Sequence, residues 1–318
     1  MDCVNPLCEF LENSFLKPVL CLKGLNDISY NGEDFYSESV YYGRKKEDVA
    51  ASNEEVGAFL RQIANLSERQ FSYLNPILDV SFGRYRLCAC FLSLTRVYDR
   101  KAYSFSLRIE RKGSILEKDE SFFPGESKSL LLTLLKEKRS IVIGGETGSG
   151  KTELQKYLLL QLEEATRVLV IDNVEELELI RGRNDIDLTT WVIDPNGKGG
   201  SASSLIKAAL RFNPDYLVLA EARGEEMWEA LCCAMSGHPL ILTVHSSSLE
   251  SMPSRLARLS QMRGNTMVYS DLLNDVEENF SVFVLVGKRS EGGGVKRSIE
   301  KIGIMKEGKM QTLFQRQG

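Results

Sequence analysis

Histidine is scarce in this chain: two of its 318 residues are histidines, His238 and His245. A metal site built from three histidines is therefore excluded. Cysteine is more frequent, with seven residues, but no two of them have the C-x-x-C spacing, so we expect no structural zinc site. An odd number of cysteines in a chain without a secretory pattern indicates reduced thiols rather than a disulfide framework.

Long hydrophobic runs are also missing. No stretch of about 18 apolar residues occurs, and the N-terminus MDCVNPLCEFLENSF carries acids and a proline where a signal peptide needs basic and then apolar residues. We therefore expect a cytoplasmic protein. The formal net charge of −4 and the pI near 5.6 give no general attraction to nucleic acid, so no direct binding of nucleic acid is expected.

The length of 318 residues predicts two domains. Residues 1–115 contain short strand-like segments and a helical segment, which predicts a small α+β domain. Residues 116–127 are polar with a Pro-Gly pair and are predicted to be a linker. Residues 128–318 alternate helices with apolar strands, the pattern of βαβ units around a mostly parallel sheet. The predicted fold class is α/β.

In the first domain, the pair Asn31-Gly32 is typical of a hairpin turn between two strands. Ser52 to Glu68 is predicted to be a helix, because Ser52 is a suitable N-cap with Glu55 three residues later. Three β-rich segments follow. Residues 1–115 contain no recognisable catalytic cluster.

The second domain contains the stretch IVIGGETGSGKTELQ, which matches the phosphate-binding pattern G-x-x-x-x-G-K-[ST] between an apolar strand and a helix. Its candidate nucleotide-binding residues are Gly145, Glu146, Thr147, Gly148, Ser149, Gly150, Lys151 and Thr152. Glycines allow a tight turn that directs backbone N–H groups at an anion, where a helix N-terminus already favours negative charge. Lys151 is predicted to reach the β- and γ-phosphates, and the Thr152 hydroxyl to hold Mg²⁺. The alternative is a glycine-rich turn with an incidental lysine.

Acidic residues follow two apolar strands of this domain. VLVID ends at Asp172, and YLVLA is followed by Glu221, with Arg223 two residues later. Carboxyl ends of parallel strands form the edge where open α/β sheets bind ligands. Hydrolysis of a nucleotide needs such a carboxylate near Mg²⁺. The alternatives are a surface Glu221–Arg223 pair that caps the next helix and a solvated acidic turn after Asp172.

The two histidines flank one predicted strand in SGHPLILTVHS. We expect both near the same sheet edge, where they act as a phosphate sensor or contact a neighbouring subunit. The alternative is that each is an ordinary hydrogen-bonded histidine of the core or of a helix end.

The ordered blocks GETGSGKT, VIDNVEEL, RFNPDYLVLAEARGEE and SGHPLILTVHSSS resemble the Walker A, Asp box, Walker B and His box of the secretion and pilus "traffic" ATPases of type II and type IV secretion systems. This resemblance implies a hexameric ring of RecA-like C-terminal domains that bind ATP and Mg²⁺. It also implies partners at the inner membrane, namely the platform or channel proteins of a secretion or pilus machine, and hence a peripheral position at the cytoplasmic membrane.

By position in these blocks, the resemblance implies that Glu221 polarises water or holds Mg²⁺, that Asp172 is the Asp-box acid, and that His238 and His245 are the His-box pair. Further arginines are implied to contact the nucleotide or a neighbouring subunit: Arg223, Arg255, Arg86 and Arg108.

The sequence departs from the family pattern at three places. Asp172-Asn173 stands where Glu-Asp is common, and Ala220 replaces a glycine before the Walker B glutamate. The tetracysteine zinc insert of many members is absent, which favours the shorter branch of type IV secretion, conjugation and tight-adherence systems. We therefore predict a Mg²⁺-dependent ATPase motor. Three alternatives remain: a RecA-like nucleic-acid motor, a nucleotide-binding ring scaffold with weak or no hydrolysis, and a small-molecule P-loop kinase.

Overall fold

The computed structural model describes residues 5–39, 41–110, 113–172, 175–193, 200–224, 226–262, 266–291 and 294–317. The chain divides into two compact units, Met1–Arg111 and Lys112–Gly318. Each unit has its own hydrophobic core.

The first unit is an antiparallel sheet with helices packed against it. In chain order its elements are α1 Pro6–Glu12, α2 Lys17–Leu20, β1 Leu25–Tyr30, β2 Phe35–Ser39, β3 Gly43–Glu47, α3 Asn53–Leu66, β4 Ile77–Phe82, β5 Tyr85–Val97 and β6 Arg100–Ile109. The described strands pair in the order β3-β2-β1-β6-β5-β4.

Local sequence signals account for most of this unit. The hairpin of β1 and β2 closes with Tyr30 opposite Phe35 across the Asn31-Gly32 turn. Helix α3 begins after Ser52, whose hydroxyl accepts a hydrogen bond from the Glu55 N–H, while the Glu55 carboxylate accepts one from the Ser52 N–H. Both predictions are confirmed.

The second unit begins with two short 3-10 helices, Ile115–Glu117 and Glu120–Phe122, and continues with α4 Ser127–Lys136, β7 Ile141–Gly145, α5 Lys151–Leu160, β8 Arg167–Asp172, a 3-10 helix Leu177–Ile180, β9 Asp187–Val192, α6 Ala202–Ala209, a 3-10 helix Leu210–Phe212, β10 Tyr216–Leu219, α7 Glu226–Met235, β11 Leu240–His245, α8 Met252–Ser260, α9 Tyr269–Asn279, β12 Val282–Glu291, β13 Gly294–Lys306 and β14 Lys309–Gln315.

The second sheet has the strand order β14-β13-β12-β7-β11-β10-β8-β9 among the described residues. From β12 to β9 neighbouring strands are parallel, and β13 and β14 extend the sheet antiparallel. Because side chains alternate along a strand, one face of β7 packs with α4 and α5 and the other with α7 and α8. Helices cover both faces, as the α/β prediction requires.

Residues 116–127 differ from the expected linker. Leu116 and Phe122 are almost fully buried and belong to the same hydrophobic cluster as Leu154 of α5. The segment is therefore part of the second unit, because its apolar side chains fill that core although its overall composition is polar.

A bilayer-spanning helix has not been found in the part of the chain that the structure describes.

Candidate functional site

The phosphate-binding loop lies between the end of β7 and the start of α5. Gly148 has a φ of +74° and Gly150, the residue before α5, a φ of +100°, so both have a left-handed backbone that favours glycine. A Cβ on Gly145 would lie 2.4 Å from the Val286 carbonyl oxygen. The loop glycines are thus required by conformation at two positions and by close packing at a third.

Lys151 points back into this loop. Its Nζ donates hydrogen bonds to the carbonyl oxygens of Gly145 at 3.0 Å and Glu146 at 2.9 Å. Burial lowers the pKa of Lys151, the Glu221 carboxylate raises it, and the ammonium of Lys288 lowers it. The lysine is therefore a partly desolvated cation held by carbonyls, an environment in which an anionic phosphate is a stronger partner.

Strand register brings the predicted site residues to one sheet edge. His245 at the end of β11 is opposite Gly145 at the end of β7. The other neighbour of β11 is β10, and Glu221 follows β10 by two residues. Beyond β10, β8 ends at Asp172. Four neighbouring strands thus deliver the loop, His245, Glu221 and Asp172 to the same edge.

Glu221 is the centre of an ion-pair network. One carboxylate oxygen lies 2.9 Å from His245 Nε2, and the other accepts a hydrogen bond from Arg223 Nη2 at 2.6 Å. Burial alone would raise the pKa of Glu221, but the Arg223 hydrogen bond and the charges of Arg223, His245 and Lys151 outweigh it. The pKa of Glu221 is therefore lowered from its usual 4.5, and the group is a carboxylate at neutral pH.

Backbone contacts fix the position of Glu221. The Thr243 hydroxyl of β11 donates to the Ala220 carbonyl at 2.6 Å. The Glu226 carboxylate accepts hydrogen bonds from the N–H groups of Arg223 and Gly224. The buried Gln155 amide of α5 donates to the Leu219 carbonyl at 2.8 Å. Sequence reasoning missed these supports, because no motif marks them.

Asp172 lies at the predicted edge and is fully buried. Its carboxylate accepts a hydrogen bond from the Leu177 N–H at 3.3 Å, so it binds the start of the 3-10 helix Leu177–Ile180 instead of projecting into solvent. Its charge also contributes to the raised pKa of Arg223, after the Glu221 hydrogen bond and other charges. Asn173 lies outside the described residues.

His238 does not lie where we expected it. It precedes β11, whereas His245 ends that strand, so the two histidines are at opposite ends of one strand. His238 pairs with the Ser236 hydroxyl at 3.1 Å. The expectation of one shared edge is wrong, because a six-residue strand separates its ends by roughly 20 Å. The alternative of a hydrogen-bonded histidine at a helix end describes His238.

The remaining arginines are placed as follows. Arg255 is exposed on α8, the helix that follows the carboxyl end of β11. Arg86 and Arg108 are opposite each other on β5 and β6 in the first unit, where Arg86 lies 3.8 Å from Asp79 and Arg108 lies 3.3 Å from Asp27. Their contact with nucleotide stays a prediction.

Clefts lie on both sides of the loop. One of about 500 Å³ is lined by Glu146, Thr147, His245, Ser246 and Lys288 among others. A second of about 410 Å³ is lined by Leu116, Phe122, Gly150, Glu153 and Arg297 among others. The first cleft carries the polar groups of the sheet edge, and the second adds apolar side chains.

The site fits a nucleotide and Mg²⁺. Ser149 Oγ is buried and has no hydrogen-bond partner among the described residues, which is a cost that a bound phosphate oxygen would remove. No group of three His, Cys, Asp or Glu side chains able to hold a metal occurs in the described part of the chain. Thr152 and Glu221 instead offer the few ligands that suit Mg²⁺, which also binds substrate phosphates.

Comparison with known proteins gives the family context. The sequence profile of the family described as "Type II/IV secretion system protein" matches residues 104–277, more than half of the chain. An uncharacterized protein of Bacillus anthracis is 30% identical over 75% of this chain and 53% of its own length. The type IV secretion system protein PtlH of Bordetella pertussis is 32% identical over 51% of this chain and 49% of its own length. The chain thus spans about half the length of these curated relatives.

Among solved structures, the Legionella pneumophila ATPase DotB is similar with a TM-score of 0.65 and 21% identity, covering 92% of this chain and 80% of that one. At this identity the likeness shows the fold alone. The family resemblance and the α/β fold class inferred from the sequence are both confirmed.

Proposed function

Because the chain belongs to the type II/IV secretion system protein family, we propose that it is a Mg²⁺-dependent ATPase that works as a hexameric ring at the cytoplasmic face of a membrane. The ring powers secretion of protein or DNA, or assembly of a pilus, through inner-membrane platform or channel proteins. The match to PtlH, named as a type IV secretion system protein, supports the type IV branch.

One observation carries the proposal of hydrolysis. Glu221 is a carboxylate held between Arg223 and His245 at the sheet edge that also carries Lys151. A phosphate-binding loop alone supports binding, whereas a positioned carboxylate beside it supports activation of water.

The chain's residues divide the work of phosphoryl transfer to water. Loop N–H groups and Lys151 bind the β- and γ-phosphates, and Thr152 with Glu221 would hold Mg²⁺, which neutralises charge on the phosphate oxygens. Glu221 orients the attacking water. ATP and water give ADP and phosphate without a covalent enzyme intermediate, so the protein contributes positioning and charge stabilisation.

Two substitutions test this assignment. Lys151→Ala should abolish ATP turnover because it removes the cation that contacts the phosphates. Glu221→Gln should keep ATP binding, because the loop, Lys151 and Thr152 remain, and should lower turnover by roughly a hundredfold or more, because the carboxylate that orients water is lost. Phosphate release and equilibrium binding of a fluorescent ATP analogue are the two measurements.

Lys138→Ala is the matched control. Lys138 pairs with Asp215 at 2.7 Å near the amino ends of the strands, at the edge opposite the loop, and its loss should leave turnover unchanged. Turnover by Glu221→Gln at the parent rate would show that Glu221 does not activate water. Absence of phosphate release by the unsubstituted ring, despite binding, would instead favour the scaffold alternative.

A further inference from the structure

Two cations outside the sequence motifs contact the phosphate-binding loop. Lys288 of β12 and Arg297 of β13 are directly opposite each other in the antiparallel pair. Lys288 Nζ donates to the Thr147 carbonyl at 2.8 Å, and Arg297 Nε donates to the Gly148 carbonyl at 2.7 Å. The hairpin of β12 and β13 therefore holds two consecutive peptide groups of the loop.

This arrangement has an electrostatic cost. Like charges directly opposite on neighbouring strands destabilise a sheet, and Lys288 is close enough to Lys151 to affect its titration. The Glu146 carboxylate lies 3.8 Å from Lys288 but is 70% exposed, so solvent screens that pair. The stability of the hairpin therefore does not explain a pair of cations at this position.

The conformation of the loop backbone explains why two cations lie here. Gly148 is exposed, has a φ of +74°, and has nothing within 4 Å of where its Cβ would be. The peptide after Gly148 is held within the loop by the Ser149 N–H, which donates to the Glu146 carbonyl at 3.3 Å, whereas the peptide between Thr147 and Gly148 is held by the Lys288 hydrogen bond. Without Lys288, the peptide between Thr147 and Gly148 can rotate and the loop can lose its anion-binding shape.

We propose that Lys288 and Arg297 are positioning residues that orient the loop's N–H groups toward the phosphates. In a trans peptide the C=O and N–H point in opposite directions. A donor that holds the Thr147 carbonyl therefore turns the Gly148 N–H away from the hairpin and into the loop. Holding the Gly148 carbonyl likewise directs the Ser149 N–H into the loop, where it donates to the Glu146 carbonyl at 3.3 Å.

This role differs from that of Lys151. Lys151 holds the carbonyls of Gly145 and Glu146 and must leave at least one of them to contact a phosphate. Lys288 and Arg297 keep their carbonyls in the bound state, because these carbonyls face away from the ligand. The two cations thus act on diphosphate and triphosphate alike.

The test uses the full chain and the variants Lys288→Met and Arg297→Met. The first measurement is backbone hydrogen exchange of the loop peptide in nucleotide-free protein. The second is the Kd of Mg²⁺ complexes of fluorescent methylanthraniloyl-ADP and methylanthraniloyl-AMPPNP. We expect faster exchange of the loop amides and affinities about tenfold weaker for both nucleotides, the size of one lost charged hydrogen bond.

Lys306 and Lys309 provide the matched control. They form another cross-strand cation pair, on β13 and β14, and both are exposed. The double variant Lys306→Met, Lys309→Met should leave loop exchange and nucleotide affinity unchanged. Lys288→Arg should retain wild-type affinity because it keeps a charged donor. The thermal midpoint of Lys288→Met should not fall, since a like-charge repulsion is removed.

The inference is overturned if Lys288→Met and Arg297→Met leave loop exchange and nucleotide affinity unchanged. It is also overturned if they weaken binding of the triphosphate alone, because that result indicates direct contact with the terminal phosphate. An equal loss in the Lys306→Met, Lys309→Met variant would overturn it as well. The inference rests on the proposed nucleotide binding, but the two fail differently. If the wild-type protein binds neither nucleotide, the proposed function fails, and hydrogen exchange still decides whether Lys288 and Arg297 order the loop.

Discussion

Both oxygens of the Glu221 carboxylate have a partner, and the partners differ in exposure. The Arg223 side chain is 56% exposed and that of His245 is 46% exposed, and Arg223 also donates its backbone N–H to Glu226. Displacement of either partner would free one oxygen of Glu221 for water. Only His245 of the two histidines is placed to respond to the nucleotide, since His238 lies at the other end of the strand.

The ion pairs of Glu221 predict an acid-sensitive stability. Its pKa is lower in the folded protein than its usual 4.5, so its contribution is fully present above that value and is lost as pH falls through the folded pKa. At neutral pH, Glu221→Gln should lower the free energy of unfolding by about 1 kcal/mol. The difference from wild type should shrink below about pH 4.5, as measured by denaturant unfolding at several pH values. A difference that is constant with pH would contradict the assigned ion pairs.

Ala220 directly precedes Glu221, at a position where the family pattern has a glycine. Its side chain is 8% exposed and belongs to the core cluster that contains Leu154, so the methyl packs in the interior. We expect Ala220→Gly to lower the free energy of unfolding by about 1 kcal/mol and to leave ATP turnover unchanged. Steady-state phosphate release checks this. A severalfold rise in turnover would show that the methyl restricts the nucleotide, as the scaffold alternative requires.

At the scale of elements, apolar runs made most strands of the second unit predictable. Strands β7, β8, β10 and β11 are buried on both faces, and their nearly continuous Val, Ile and Leu runs are typical of parallel strands. Their order along the chain then placed Glu221 and His245 at one edge. The prediction for His238 was wrong because this residue precedes β11 whereas His245 ends it. Residues that flank one strand on its two sides lie at opposite edges of the sheet.

Two kinds of feature were not predictable from the sequence: strands made of charged residues, and contacts between residues far apart in the chain. Strand β3, with the sequence GRKKE, is largely exposed, and a charged edge strand lacks the apolar alternation that marks strands while protecting the sheet edge from association. Lys288 is 141 positions after Thr147, whose carbonyl it contacts, and Arg297 is 149 positions after Gly148, whose carbonyl it contacts. No spacing rule connects such residues, because only strand pairing brings them to the loop.

At the scale of the whole molecule, the proposed ring would give Arg255 a function. Arg255 is exposed on α8, which follows the strand that ends at His245, and no side-chain partner is found for it among the described residues. An exposed guanidinium on this helix is suited to an acidic or anionic group of a neighbouring subunit. If the proposed ring sets this side of each subunit against the next, Arg255 would face that neighbour.

The ring predicts a mass of six times the 35.8 kDa chain, about 215 kDa. We expect Glu221→Gln with Mg²⁺ and ATP to show this mass in light scattering after chromatography, because it retains nucleotide without turnover. Lys151→Ala should form less of the ring under the same conditions, since ligand bound at a subunit interface favours assembly by mass action.

Arg255→Ala should bind nucleotide normally but form less ring than wild type. Arg139→Ala, near the amino end of β7 and paired with Glu137, should assemble as wild type does. A monomer mass for Glu221→Gln at every protein and ATP concentration would contradict the ring, and equal assembly of Arg255→Ala and wild type would remove Arg255 from its interface.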